Sequence, residues 1–102
     1  MKFLLRIDTR KTDQTIVSIV KDGIVKEKTS TSYILKSQTV LPLIEELLSE
    51  NKLNWGDIYS IEVATGPGSF TGLRVGIAIA NTLGVFLGIP VNGSTTLVNP
   101  SY

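Results

Sequence analysis

Between Gly72 and Gly88 a residue no larger than alanine recurs at every fourth position: Gly72, Gly76, Ala80, Gly84 and Gly88. A spacing of four keeps side chains on one face of an α-helix, so this row predicts a helix over about 72–88 with one nearly bare face. Such a face serves where another backbone comes close, either a sheet or a second helix. The rest of the segment is also apolar, since Val75 to Val91 carries only Asn81 and Thr82 as polar side chains. A membrane span is the first alternative. The run is at the short edge for one, has no basic flank, and contains Gly76, Gly84 and Gly88 before Pro90, so a helix buried on most sides is the better expectation. The stripe opposite the small residues holds Arg74, Ala78, Asn81 and Val85, and a protein interface is predicted there.

Charge supports that reading. Of 19 charged residues, 17 precede Ile58, leaving only Glu62 and Arg74 in the remainder. A surface built from so few charges is poorly solvated, and much of it is expected to be covered by the fold or by another molecule. The formal net charge of +1 provides no broad field to steer nucleic acid or an anionic membrane. Histidine and cysteine are both absent, which excludes disulfides, Cys or His metal ligands, thiol nucleophiles and imidazole acid–base catalysis. No metal site is expected. The opening Met1 to Asp8 is too short and too charged for a signal peptide, so a cytoplasmic protein is expected. A length of 102 residues allows one small domain, 1–102.

Upstream, Phe3 to Ile7 reads as a strand ending in the turn-rich Asp8 to Asp13. Thr15 to Val20 and Ile24 to Thr31 flank Asp22-Gly23, a hairpin signal. Val40, Leu41, Leu43, Ile44, Leu47 and Leu48 lie within an arc of about 160° at helical spacing, predicting an amphipathic helix over about 37–51. Pro42 is tolerable there near the first turn. Trp55 is expected to staple the following connection to the core. Tyr59 to Thr65 alternates as a fourth strand, breaks at Gly66 to Gly72 and continues as the glycine-row helix; Val91 begins a short final strand or its remnant. The order βββαβα, with a short last β, predicts an α/β fold with a mixed sheet and two helices on it.

Two groups could carry chemistry. The loop containing Gly66, Gly68, Ser69 and Thr71 joins a strand to a helix N-terminus, where backbone N–H groups and the helix dipole suit a phosphate. It has neither the lysine of a P-loop nor the third glycine of a dinucleotide fingerprint, and a structural turn with Ser69 or Thr71 as cap accounts for the same residues. Asp8 and Thr9 could set a carboxylate and hydroxyl beside a phosphate or Mg²⁺, or could simply end a strand.

The string Gly66-Pro67-Gly68-Ser69-Phe70-Thr71-Gly72-Leu73-Arg74-Val75-Gly76, together with Ile7-Asp8-Thr9, Leu41-Pro42-Leu43-Ile44 and Ile89-Pro90-Val91, resembles the TsaB (YeaZ) family over nearly the whole chain. The chain departs from that pattern at Arg10 and at Lys36-Ser37-Gln38. The resemblance implies one RNase H-like lobe of the actin/Hsp70-like superfamily and a non-catalytic partner in threonylcarbamoyladenosine synthesis on tRNA. It implies a TsaD-type partner, a TsaE-type ATPase nearby, homodimerisation in isolation, and tRNA contact only through the complex. With one lobe no nucleotide cleft closes, so no cofactor is expected on the isolated chain and ATP or ADP with Mg²⁺ only at a complex interface. A peptidase role attached to relatives would need zinc ligands this chain lacks. The partner-binding residues expected from this reading are Val40, Leu43, Ile44 and Leu47 with Leu73, Arg74, Ile77 and Asn81. The alternatives are a small nucleotide- or phosphate-binding module and a stand-alone homodimeric interaction protein.

Overall fold

A computed structural model describes residues 2–31 and 36–101. Strands β1 (Phe3–Asp8), β2 (Gln14–Lys21) and β3 (Ile24–Thr31) form an antiparallel meander. The hairpin signal is realised: Asp22 and Gly23 both take positive φ, 51° and 79°, as a tight two-residue connection requires. Helix α1 (Lys36–Glu50) and a short 3₁₀ turn (Trp55–Asp57) lead to β4 (Ile58–Val63), which pairs parallel with β1. Helix α2 (Phe70–Leu87) follows, closed by Gly88 at φ 67°. The strand order β3-β2-β1-β4, mixed and with two helices on one face, is the lobe expected from the sequence.

The predicted elements are all present, and the differences have local causes. β4 runs from Ile58 to Val63 rather than from Tyr59 to Thr65, although the Ala64 N–H still donates to the Ile7 carbonyl at 3.0 Å. The last strand shrinks to Val91, which bridges Ile61 in parallel. Pro90 offers no N–H, and Asn92 and Gly93, both at positive φ, turn the chain back so that Ser94 pairs with Val91. Pro42 stands in the second turn of α1 rather than the first. It leaves the Gln38 carbonyl without its helical donor, at a position where both residues are exposed to water. Trp55 packs half-buried on the core margin, as expected.

The core lies between the sheet and the two helices. Leu5, Ile7, Val17, Ile19, Ile61 and Val63 from the strands meet Val40, Leu43, Ile44 and Leu47 from α1 and Leu73, Ile77 and Ala80 from α2. This corrects the expected partner surface. Val40, Ile44 and Leu73 are 0% exposed, and Leu43, Leu47 and Ile77 no more than 6%. These six side chains hold the lobe itself together and cannot meet a partner. Ile44→Ala is therefore expected to act on stability, costing about 2–5 kcal/mol as other buried aliphatic truncations do. Chemical denaturation measures it, and a loss under about 1 kcal/mol would contradict this placement.

Gly72, Gly76, Ala80 and Gly84 face inward, whereas Gly88 is the exposed cap of the helix. A Cβ on Gly76 would collide with the Thr9 side chain, and one on Gly84 would lie 2.5 Å from Val91 Cγ2. By length and composition α2 could cross a membrane, but here its small-residue face lies on the sheet of the same lobe.

Candidate functional site

Two surfaces bear on the residues singled out in the sequence. The first is the outer side of the helix pair. Where α1 and α2 run together, Leu41, Ala78, Ile79, Thr82 and Leu83 line an apolar groove of about 200 Å³. Phe70 is 57% exposed at the start of α2, and Val85 and Phe86 are 74% and 85% exposed near its end. The Arg74 guanidinium lies over the Phe70 ring, 5.3 Å from its centroid, so a cation and an aromatic face are presented together. Of the residues expected to bind a partner, Arg74 alone is fully on this surface. Asn81 instead serves the fold, since its side-chain amide donates to the Val98 carbonyl at 2.9 Å and accepts the Val98 N–H at 3.0 Å. Ala78 and Val85 of the predicted opposite stripe are exposed as expected. Leu41 and Phe86 were missed. For Phe86 the signal was present, a large apolar side chain on a helix whose inward stripe is already filled; Leu41 lay inside the wide apolar arc of α1, whose outward edge periodicity does not mark.

The second surface is the glycine loop beside the β1–β2 turn. Asp8, Arg10, Lys11, Gln14, Pro67 and Gly68 line an open pocket of about 480 Å³. Thr9 does not contribute to it. Its side chain is fully buried, its hydroxyl donates to the Gly72 carbonyl at 2.6 Å, and it fills the space opposite Gly76, so its expected role beside a phosphate is replaced by a structural one. Ser69 caps α2 by accepting the Gly72 N–H, while its own N–H donates to the Arg10 carbonyl at 2.7 Å. The loop thus spends two N–H groups on the fold. Gly66 is covered by the Ser101 carbonyl, Gly68 lies against the Arg10 backbone, and Thr71 is exposed.

Asp8 is engaged by Arg10, whose Nη2 donates to Oδ2 at 2.7 Å and whose backbone N–H donates to Oδ1 at 3.0 Å. Burial acts to raise the Asp8 pKa; the hydrogen bonds of Arg10 and the charges of Arg10 and Lys11 outweigh it, and the carboxyl sits below its ordinary value of 3.8. A carboxylate depressed in the folded state stabilises the fold above its unfolded value and loses that contribution as pH falls through the folded one. Arg10→Ala should move the Asp8 titration upward, toward or above 3.8. Side-chain carboxyl NMR shifts would follow it, and an unmoved midpoint would remove Arg10 as the cause.

Against known proteins, residues 8–98 match the family model described as "TsaD: tRNA N6-adenosine threonylcarbamoyltransferase". The chain is 34% identical over 95 residues to the tRNA threonylcarbamoyladenosine biosynthesis protein TsaB of Escherichia coli, covering 93% of this chain and 41% of that protein. It is 33% identical over 96 residues to the Bacillus subtilis protein of the same name, covering 92% and 41%. Among solved structures it is similar to YeaZ from Pseudomonas aeruginosa, with a TM-score of 0.81, 30% identity, and coverage of 89% of this chain and 42% of that one. It spans about two fifths of the length of these relatives. The fold is thus the RNase H-like lobe that the topology indicated. With identity near one third across nearly all of its residues, the chain belongs to the TsaB (YeaZ) family.

Proposed function

We propose that this lobe is a non-catalytic partner module, which docks on a TsaD-type protein and supports threonylcarbamoylation of tRNA adenosine next to the anticodon. The observation that carries this reading is the groove between α1 and α2. Leu41 is 38% exposed and Ala78 lies open there, Phe70, Val85 and Phe86 extend the apolar surface along the same helix as Ala78, and Arg74 is exposed on that helix where it can orient a partner. A chain without histidine or cysteine has no imidazole base and no thiol nucleophile to offer. The names borne by its relatives describe a biosynthetic pathway acting on tRNA, and the absence of a strong positive charge fits tRNA being held by the complex rather than by this lobe.

In this reading the lobe works in the cytoplasm, and a second copy occupies the same helical face when the partner is absent. A TsaE-type ATPase joins through the complex, and ATP or ADP with Mg²⁺ is bound only where subunits meet. The test is co-expression with a TsaD-type protein, affinity capture, and assay of the modified adenosine. Co-purification with restored modification is expected; a chain that stays monomeric and is not captured overturns the proposal.

The pocket beside Arg10, Lys11 and Gly68 favours a second reading, a phosphate-binding module. Millimolar Mg-ATP separates the two. No rise in melting temperature is expected for the isolated lobe, whereas a rise abolished by Lys11→Ala would favour the second reading.

A further inference from the structure

The segment that follows Val91 is tied down at three points. The Asn92 side chain bridges the β4 end, accepting the Val63 N–H at 2.8 Å and donating to the Val63 carbonyl at 3.0 Å. Farther on, Asn81 of α2 grips Val98 by both its N–H and its carbonyl. Finally the Ser101 N–H donates to the Thr65 carbonyl at 2.6 Å, and the Ser101 carbonyl lies where a Cβ on Gly66 would stand. Two asparagine amides acting as peptide mimics give this irregular stretch the pairing that a strand would otherwise provide.

The placement of its far end matters most. The glycine loop is approached closely at two places: the Ser101 backbone lies where a Cβ on Gly66 would stand, and Arg10 lies where a Cβ on Gly68 would stand. The Ser69 N–H to Arg10 carbonyl bond closes that second contact. Pro67 and Gly68 are also part of the lining of the pocket that contains Asp8, Arg10 and Lys11. Asn81 lies on α2 between Ala78 and Thr82, both of which line the helical groove. One side chain therefore stands next to the outer helical surface and holds the segment that covers the loop.

We propose that residues 92–101 form a latch, with Asn81 as its catch, which holds the glycine loop against the β1–β2 turn. Releasing the catch frees Ser101 from Gly66 and opens the pocket along its Pro67–Gly68 wall. This goes beyond the partner role and is read on the isolated lobe, so it stands or falls separately from TsaD-type binding.

Amide hydrogen exchange tests it. Asn81→Leu keeps the side-chain size and removes both bonds to Val98. The exchange of the Val98, Ser101 and Ser69 amides is expected to accelerate together, by about tenfold or more, while the Leu5 and Ile7 amides of β1 keep their wild-type rates. Faster exchange at Val98 and Ser101 with Ser69 unchanged overturns the proposal. Ser101→Pro provides the second variant, removing the donor to Thr65 at an exposed position outside the core. It should accelerate Ser69 while β1 stays protected. A Ser69 amide indifferent to Ser101→Pro overturns the latch whatever Asn81→Leu does to global stability.

Discussion

Thr82→Glu is expected to weaken association with a TsaD-type protein by at least about 100-fold, close to 2.7 kcal/mol, while leaving the lobe folded. Thr82 is exposed, and its hydroxyl only donates back to the Ala78 carbonyl at 2.8 Å, so the free lobe loses little when the better helix former replaces it. In the complex the added carboxylate would be buried in an apolar groove lined by Leu41, Ile79 and Leu83, where an unpaired charge is strongly unfavourable. Arg74 stands eight residues away on the same helix, about 12 Å along its axis, too far to neutralise it. Titration calorimetry or sedimentation with the partner measures the loss; circular dichroism confirms the fold. Undiminished binding would move the interface off the α1–α2 groove. Ile44→Ala provides the contrast, since it should reduce stability first and affect binding only through the folded fraction. The two variants together separate a residue that builds the lobe from one that presents it.

The second large effect concerns the seat of α2 against the residue that follows β1. Gly76→Ala should destabilise the lobe by about 1–2 kcal/mol, a shift of roughly 4–16 °C in melting temperature for a domain of this size, even though alanine is the better helix former. The added methyl would overlap Thr9 Oγ1 and stand 3.2 Å from its Cβ and Cγ2. Thr9 cannot yield, because it is fully buried and bonded to the Gly72 carbonyl one turn away on the same helix. In a Thr9→Ala background the overlap with Oγ1 and the contact with Cγ2 are gone and only the 3.2 Å approach to the Cβ of residue 9 remains, so Gly76→Ala should cost clearly less, about 0.5 kcal/mol or under. Urea unfolding of the four proteins closes the cycle. Equal cost of Gly76→Ala in both backgrounds would show that Thr9 is not what requires the glycine.

Much of the fold was legible because the relevant signals are local. The Asp22-Gly23 turn, the alternation of β4 and the four-residue spacing of small side chains each depend on neighbours within one or two turns. The site was less legible. On α1 an apolar arc of about 160° is wider than a core contact requires, and periodicity alone does not say which edge of the arc turns inward. Val40, Leu43, Ile44 and Leu47 took the sheet, and Leu41 was left at the rim. Thr9 looked like a ligand residue because a hydroxyl after a strand is chemically suited to one; its partner lies 63 positions away and had no signature near Thr9 itself.

By itself, the sequence determined the order of elements, the two helices, the glycine turn and, through the Gly66 to Gly76 string, the family. It determined too that α2 must have a face for another backbone, since only a row of glycines and alanine admits one. The tertiary structure alone decided that this other backbone is the lobe's own sheet, that the outer stripe and not the filled one is available to a partner, and that residues 92–101 return to cover the glycine loop. The physical reason is the same in each case. Helical and strand periods specify which residues share a face, whereas what meets that face is fixed by close packing and hydrogen bonding between segments far apart in the chain.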